Sequence, residues 1–138
     1  MFEAMDISAS GLVAQRVRMD TIANNIASAD MTRAKTDASG HAVPYRRQFA
    51  VFAPALDAAG KPAGVQVAQV AEDPSAFRKG PYDPAHPDAA ADGYVYQPNV
   101  DMTTEYVNAL EATRAYQANI TAMDATKAML AETLRLIA

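Results

Sequence analysis

The residues best suited to chemistry lie close together in the sequence, where His86 is followed by Asp88 and Asp92. Imidazole and carboxylate groups are common ligands of divalent metals, so these side chains leave a small metal-dependent hydrolase as one possible function. The spacing is short, prolines surround His86, and the only other histidine in the chain is His41. The aspartates would also cap backbone amides in a turn, and we interpret them that way, with no metal bound.

No other set of residues in the sequence assembles a reaction centre. The chain has no cysteine, which excludes disulfides, thiolate metal sites and cysteine nucleophiles. It also has no G-x-S-x-G nucleophile elbow, no phosphate-binding loop and no G-x-G-x-x-G dinucleotide motif. The sequence therefore predicts a protein that is not an enzyme, uses no cofactor and acts by association.

Charge and hydropathy narrow the possible partners. The net charge of −4 argues against nucleic acid, because phosphate binding needs an excess of basic residues. The basic pairs Arg46 with Arg47 and Arg78 with Lys79 are interpreted as solvated or as facing an acidic neighbour. No run approaches the ~18 apolar residues of a membrane span. Residues 1–6 lack the basic and apolar regions of a cleaved signal peptide.

The stretch from Asp101 to Ala138 predicts a long helix that would carry the association surface. It contains neither proline nor glycine, Asp101 is a natural N-cap, and Glu105 lies at the positive end of the helix dipole. Steps of four and three residues place a narrow, mostly apolar seam along a helix of roughly 50 Å. The seam consists of Met102, Tyr106, Ala109, Thr113, Tyr116, Ile120, Met123, Lys127, Leu130, Leu134 and Ile137. So narrow a seam favours a second helix as partner, with a core helix of a globular domain as the alternative.

Residues 3–29 predict a second helix with the same repeat. Its apolar row consists of four residues, each seven apart: Met5, Leu12, Met19 and Ile26. Arg16 lies at an intervening position of the same helix seam and Gly11 interrupts the seam, and a glycine inside a helix costs about 1 kcal/mol relative to alanine. The matching repeats predict that the two terminal helices pack against each other as a coiled coil. The alternative is that both rows face a common globular core.

The middle of the chain loses the helical repeat. Residues 30–43 predict a loop, and residues 45–52 and 65–70 predict two strands because they are rich in aromatic and β-branched residues. A turn cluster at residues 57–64 would join these strands into a hairpin. A lone hairpin is marginal in water, so it must pack on another element.

Residues 73–99 form a proline-rich arm that contains five of the eight prolines of the chain. Residues 93–96 predict a short third strand in this arm. Tyrosine combines a large apolar body with a polar tip and is enriched at interfaces. We therefore assign subunit contact to three tyrosines of the arm: Tyr82, Tyr94 and Tyr96.

These elements predict a mainly α fold with a small β-rich insert. Residues 1–30 form the N-terminal helix of an inner helical domain, and residues 100–138 form its C-terminal helix. Residues 31–99 form a middle domain of short strands and proline-rich loops.

Several stretches of the sequence resemble the FlgC-type flagellar basal-body rod proteins, a branch of the flagellar axial protein family. The most specific stretch runs from residue 83 to residue 101, with DPAHPDAAADGYV followed by QPNVD. Residues 105–120, EYVNALEATRAYQANI, resemble the same family. The pattern TIANNIA at residues 21–27 is shared more broadly by rod and hook proteins. The resemblance covers nearly the whole chain.

The resemblance implies a structural subunit of the bacterial proximal rod. Proteins of this kind are exported unfolded by the flagellar type III apparatus, without a cleaved signal, and polymerise in the periplasm. Their terminal helices form the inner coiled-coil wall around the export channel, and the rod transmits motor torque. The implied partners are copies of the chain itself, other rod subunits, components at the inner-membrane ring and export gate, and the distal rod. Neither nucleic acid nor a direct membrane span is expected.

A cytoplasmic coiled-coil adaptor or chaperone is the main alternative function. It predicts a small, defined oligomer in solution, whereas a rod subunit would be monomeric or would aggregate without its neighbours. The metal-dependent hydrolase predicts one bound metal ion per chain.

Overall fold

Two long helices frame the protein. A computed structural model of the 138-residue chain describes the backbone of residues 2–137 and the side chains of residues 3–135. Helix α1 spans Phe2–Ala27 and helix α2 spans Met102–Ile137. The sequence predicted both within two residues at each end. The side chain of Ile137, a predicted member of the seam, lies outside the described residues.

Asp101 starts α2 as the sequence predicted. Its carboxylate accepts hydrogen bonds from the Thr103 amide at 3.1 Å and the Thr104 hydroxyl at 2.7 Å. These bonds, that of Thr104 first, lower the pKa of Asp101 below its ordinary value. Satisfying free amides of the first turn is what an N-cap residue does.

Six strands in the described part of the chain pair as three antiparallel two-stranded sheets, β1 with β2, β3 with β4 and β5 with β6. The strands are β1 Lys35–Thr36, β2 Ala42–Val43, β3 Gln48–Leu56, β4 Pro62–Glu72, β5 Arg78–Tyr82 and β6 Tyr94–Gln97. The predicted hairpin is present as β3 and β4, and the predicted third strand as β6. The prediction of loop at residues 30–43 was wrong for β1 and β2, because strands of two residues are too short to leave a periodic pattern. The strand β5 was also missed.

Helix α1 lies between α2 and the β3–β4 hairpin, and two consecutive residues of α1 are especially close to its two neighbours. The Ser10 hydroxyl accepts a hydrogen bond from the Val65 amide of β4 at 3.0 Å. Gly11 faces Asn119 of α2 so closely that a Cβ at this position would lie 2.8 Å from the Asn119 side-chain nitrogen. Gly11, which weakens the helix by itself, therefore permits close packing.

The helices run antiparallel, and the row of α2 that faces α1 lies one residue before the predicted seam. This row has a spacing of seven and consists of Glu105, Ala112, Asn119 and Thr126. Tyr106, Ile120 and Leu134 of the predicted seam are instead 55%, 40% and 60% exposed. The predicted pairing of Ile120 and Leu134 with α1 is thus corrected, because small residues such as Ala112 let the two backbones approach closely. The other apolar seam residues with described side chains are partly buried: Met5, Leu12, Met19, Ile26, Met102, Ala109, Tyr116, Met123 and Leu130.

The core is small and lies where the middle segment meets the helices. The largest fully buried side chains are Glu105, Val100, Asn25 and Pro98. Neither described helix has an apolar stretch long enough to cross a bilayer.

Candidate functional site

A buried polar cluster, which we call the neck cluster, joins the end of α1, the start of α2 and the start of β3. Glu105 and Asn25 are fully buried. Arg47 donates from Nε and Nη2 to Glu105 Oε1, both at 2.8 Å. Asn25 donates its side-chain amide to Glu105 Oε2 at 2.9 Å. The buried carboxylate therefore has both a counter-charge and a neutral donor, which offsets the cost of removing it from water.

Asn25 extends the neck cluster to the backbone of β3. Its side-chain amide also donates to the Gln48 carbonyl at 2.7 Å, and its side-chain oxygen accepts from the Gln48 amide at 2.9 Å. The Tyr45 hydroxyl donates to the same oxygen at 3.0 Å. Burial first, and then the negative charge of Glu105, raise the pKa of Tyr45, so this hydroxyl stays protonated and can donate.

A second set of hydrogen bonds ties the neck cluster to the proline-rich arm. Asn99 accepts from the Arg47 amide at 2.8 Å and donates to the Asp73 carbonyl at 3.2 Å. Arg46 donates to the carbonyls of Asp73 at 2.9 Å and Ser75 at 3.0 Å. The basic pair Arg46 and Arg47 therefore holds the beginning of the arm and faces acidic and carbonyl groups, one of the two interpretations that the sequence left open.

The loop around His86 binds the segment that follows α1. Asp88 accepts from the Thr32 hydroxyl at 2.7 Å and from Arg33 Nε at 2.6 Å. The bond from Thr32, followed by the charge and hydrogen bond of Arg33, holds the pKa of Asp88 below its ordinary value. His86 Nδ1 accepts from the Asp88 amide at 3.0 Å. The loop is thus fixed by side chains that a metal would have to displace.

The three candidate metal ligands do not converge. Asp92 accepts instead from the Tyr94 amide at 3.2 Å and the Tyr96 hydroxyl at 3.0 Å, which lowers the pKa of Asp92 and raises that of Tyr96. Within the part of the chain that the structure describes, no three histidine, cysteine or acidic residues are grouped so that they could hold a metal ion.

The tyrosines of the arm pack on one another and on a lysine. The rings of Tyr82 and Tyr94 meet edge to face with centroids 5.1 Å apart. The Lys79 ammonium lies 3.5 Å from the centroid of the Tyr94 ring, and Tyr82 remains 65% exposed. The arm therefore presents an aromatic surface whose geometry is fixed before any partner binds.

The surface of α2 away from α1 carries several exposed apolar side chains. They are Tyr106, Val107, Leu110, Ile120, Met129 and Leu134, and we call them the outer residues of α2. Isolated exposed apolar residues are ordinary, but six on one helix are typical of a surface that another protein covers.

Comparison with known proteins relates these surfaces to an assembly. A family described as "Flagella basal body rod protein" matches residues 5–35, and one described as "Flagellar basal body rod FlgEFG protein C-terminal" matches residues 91–136. The chain is 43% identical over 147 residues to the flagellar basal-body rod protein FlgC of Bacillus subtilis, covering 98% of this chain and 97% of that protein. The chain belongs to the FlgC family of flagellar basal-body rod proteins.

Further FlgC proteins are similar over the same extent. That of Salmonella typhimurium is 42% identical over 138 residues, covering 99% of this chain and 97% of the relative. That of Borreliella burgdorferi is 37% identical over 154 residues, with the same two shares. Membership of the FlgC family makes this chain a structural subunit of the flagellar basal-body rod and not an enzyme. It supports neither the adaptor nor the hydrolase alternative.

Sequence reasoning missed the neck cluster in this FlgC-family chain. It interpreted Glu105 only as a first-turn acid that favours the helix dipole, and it gave Asn25 no role. A signal was present, because Asn25 and Glu105 both belong to stretches that resemble the family. The sequence could not say that the two side chains meet, because 80 residues separate them.

Proposed function

We propose that this rod subunit belongs to the proximal rod and polymerises with copies of itself and other rod subunits through its terminal helices. In this proposal α1 and α2 form a coiled coil in the wall around the export channel, and the middle segment lies outside. The assembled rod spans the periplasm between the inner-membrane ring with its export gate and the distal rod, and it transmits torque. The chain reaches the rod through the flagellar type III apparatus.

The outer residues of α2 are the observation that supports this proposal most strongly. The row through Glu105 and Ala112 already packs on α1, yet Leu110 and Leu134 are 62% and 60% exposed. A helix with a paired inner row and apolar outer residues gains stability when neighbouring helices remove those residues from water. The aromatic surface of Tyr82, Tyr94 and Tyr96 would supply further subunit contacts outside the helices.

Substitution of one outer residue tests the proposal. Ile120→Asp places a charge on the α2 surface that subunit contact would bury, so we expect rods and motility to be lost while the single chain still folds. Leu130→Asp, at a partly buried position of the predicted seam, should have the same effect on motility. The matched control is Ala58→Asp, which adds the same charge at an exposed position of the turn between β3 and β4, away from α2.

Three measurements separate the outcomes. They are circular dichroism of the purified variants, recovery of the chain in isolated basal bodies, and spreading on motility agar. Normal swimming of Ile120→Asp cells would contradict the assignment of the outer residues of α2 to assembly, and normal swimming of both variants would also contradict a role of the predicted seam. Failure of the control alone would place the essential contact on the β3–β4 hairpin and not on α2.

A further inference from the structure

The neck cluster lies where the chain leaves one helix and returns to the other. Asn25 is two residues before the end of α1, and Glu105 is three residues after the start of α2. Arg47, directly before β3, lies between them in space and bonds to Glu105. The middle segment is therefore held to the helix pair at the place where the segment begins, after α1, and ends, before α2.

The contacts of the neck cluster differ in kind from the other contacts between the middle segment and the helices. Along the hairpin, α1 meets β4 through the small residues Ser10 and Gly64. The hydrogen bond in this contact, from the Val65 amide to the Ser10 hydroxyl at 3.0 Å, joins two neutral groups and is weaker than a hydrogen bond to a charged group. Hydrogen bonds from a guanidinium to a carboxylate are strongly directional, and a shift breaks them.

Burial increases this resistance to movement. Glu105 is fully buried, so displacement of Arg47 would leave an unpaired charge out of contact with water. Asn25 is fixed in the same way, because its side chain bonds simultaneously to Glu105 and to both backbone groups of Gln48. Movement of the middle segment relative to either helix would break several of these bonds together.

We propose that Asn25, Arg47 and Glu105 form a rigid joint that sets the orientation of the middle segment relative to the helix pair. The proposal rests on the proposed function: in a rod that transmits torque, force between the inner helices and the outer segment passes through the Arg47–Glu105 ion pair. These are positioning residues. Weakening the joint lowers the stiffness of the rod and leaves the surfaces that join subunits unchanged.

Glu105→Gln tests the joint because it preserves shape and one acceptor oxygen but removes the charge. The matched control is Glu111→Gln, which removes the exposed partner of Arg18, 2.8 Å away, in an ion pair between the same two helices. Arg47→Lys is a second variant that retains the positive charge and loses the forked donor geometry.

Hydrogen exchange of the purified chain measures the joint directly. The Arg47 amide donates to Asn99 and the Gln48 amide donates to Asn25, so both amides report on the neck cluster. In Glu105→Gln we expect these two amides to exchange about tenfold faster or more, which corresponds to the loss of one hydrogen bond to a charged group. The control variant should match the wild type at both amides. Unchanged exchange in Glu105→Gln would overturn the joint.

Swimming under load measures the consequence in the rod. Cells with Glu105→Gln or Arg47→Lys should assemble rods at normal yield, yet their speed should fall more steeply than that of wild type as the medium becomes more viscous. Wild-type speed of both variants at every viscosity would overturn the proposal, as would a folded Arg47→Lys chain that forms no rods. If the wild-type chain is itself absent from isolated rods, the proposed function fails and not the joint.

Discussion

Single glycine residues decide how closely α1 approaches its two neighbours. Gly64 of β4 has a φ of 135°, and a Cβ there would collide with the Ser10 hydroxyl of α1. Such a φ is open almost only to glycine, so the position combines backbone strain with steric overlap for any other residue. Gly60, in the turn of the same hairpin, has a φ of 77° but no atom within 4 Å of the corresponding Cβ position.

The two glycines give a matched pair of variants. We expect Gly64→Ala to lower the free energy of unfolding by about 2–4 kcal/mol, because strain and displacement of Ser10 add together. Gly60→Ala carries only the strain of a positive φ and should lower it by about 1–2 kcal/mol. Urea denaturation followed by circular dichroism measures both values. Equal losses in the two variants would mean that Ser10 can move away from the added methyl group without a measurable cost in stability.

At the scale of elements, one carboxylate holds the arm against the segment after α1. Asp88 joins the loop around His86 to Thr32 and Arg33. Its pKa in the folded protein lies below the ordinary value of 3.8. A group whose folded pKa is lowered stabilises the protein above its unfolded pKa, and this contribution is lost as the pH falls through the folded value.

Asp88→Asn should therefore show its effect only above the pH range in which Asp88 becomes protonated. We expect the variant to unfold at a lower temperature than the wild type at pH 6, with the difference shrinking as the pH falls below 3.8. Thermal unfolding at pH 6, 4 and 3 measures the trend. The control is Asp20→Asn, which removes the charge of an exposed acidic residue of α1 and so measures the general effect of losing one negative charge. A difference that stays constant down to pH 3 would show that the Asp88 charge is not involved.

At the scale of the whole molecule, α2 is longer than α1 and extends beyond the part that packs against it. Asn25 lies opposite Glu105 and Gly11 lies opposite Asn119, so the same register places the start of α1 near Ala128. Roughly the last two to three turns of α2 therefore extend beyond α1. A helix end without a packing partner is marginal in water, because propensity alone rarely stabilises a short segment.

Hydrogen exchange along the dilute single chain should follow this overlap. We expect rapid exchange from Ala128 to the end of α2 and strong protection around Asn25 and Glu105, where the neck cluster closes the fold. Incorporation into the rod should protect the end of α2, because neighbouring subunits would supply its packing. Strong protection of the last turns in the dilute chain would contradict both the marginal stability of this end and its dependence on assembly.

The sequence by itself determined the two helices, the longest hairpin and the family of this protein. Long stretches free of proline with a seven-residue repeat are local signals, and they predicted both helices, including the cap at Asp101. The lack of a catalytic residue set and the resemblance of the terminal and arm stretches to rod proteins predicted a structural rod subunit, which the comparisons confirmed. The longest strands, β3 and β4, also left a clear pattern.

Only the tertiary structure decided which residues meet. The repeat predicts an apolar seam, but close packing at Gly11 and Ala112 turned α2 by one residue and left Ile120 exposed. The ion pair of Arg47 with Glu105 could not be predicted from the sequence either, because it joins residues 58 positions apart. Periodicity records how residues are arranged along one helix, whereas the rotation of that helix depends on the shape of its neighbour, which is known only once the chain has folded.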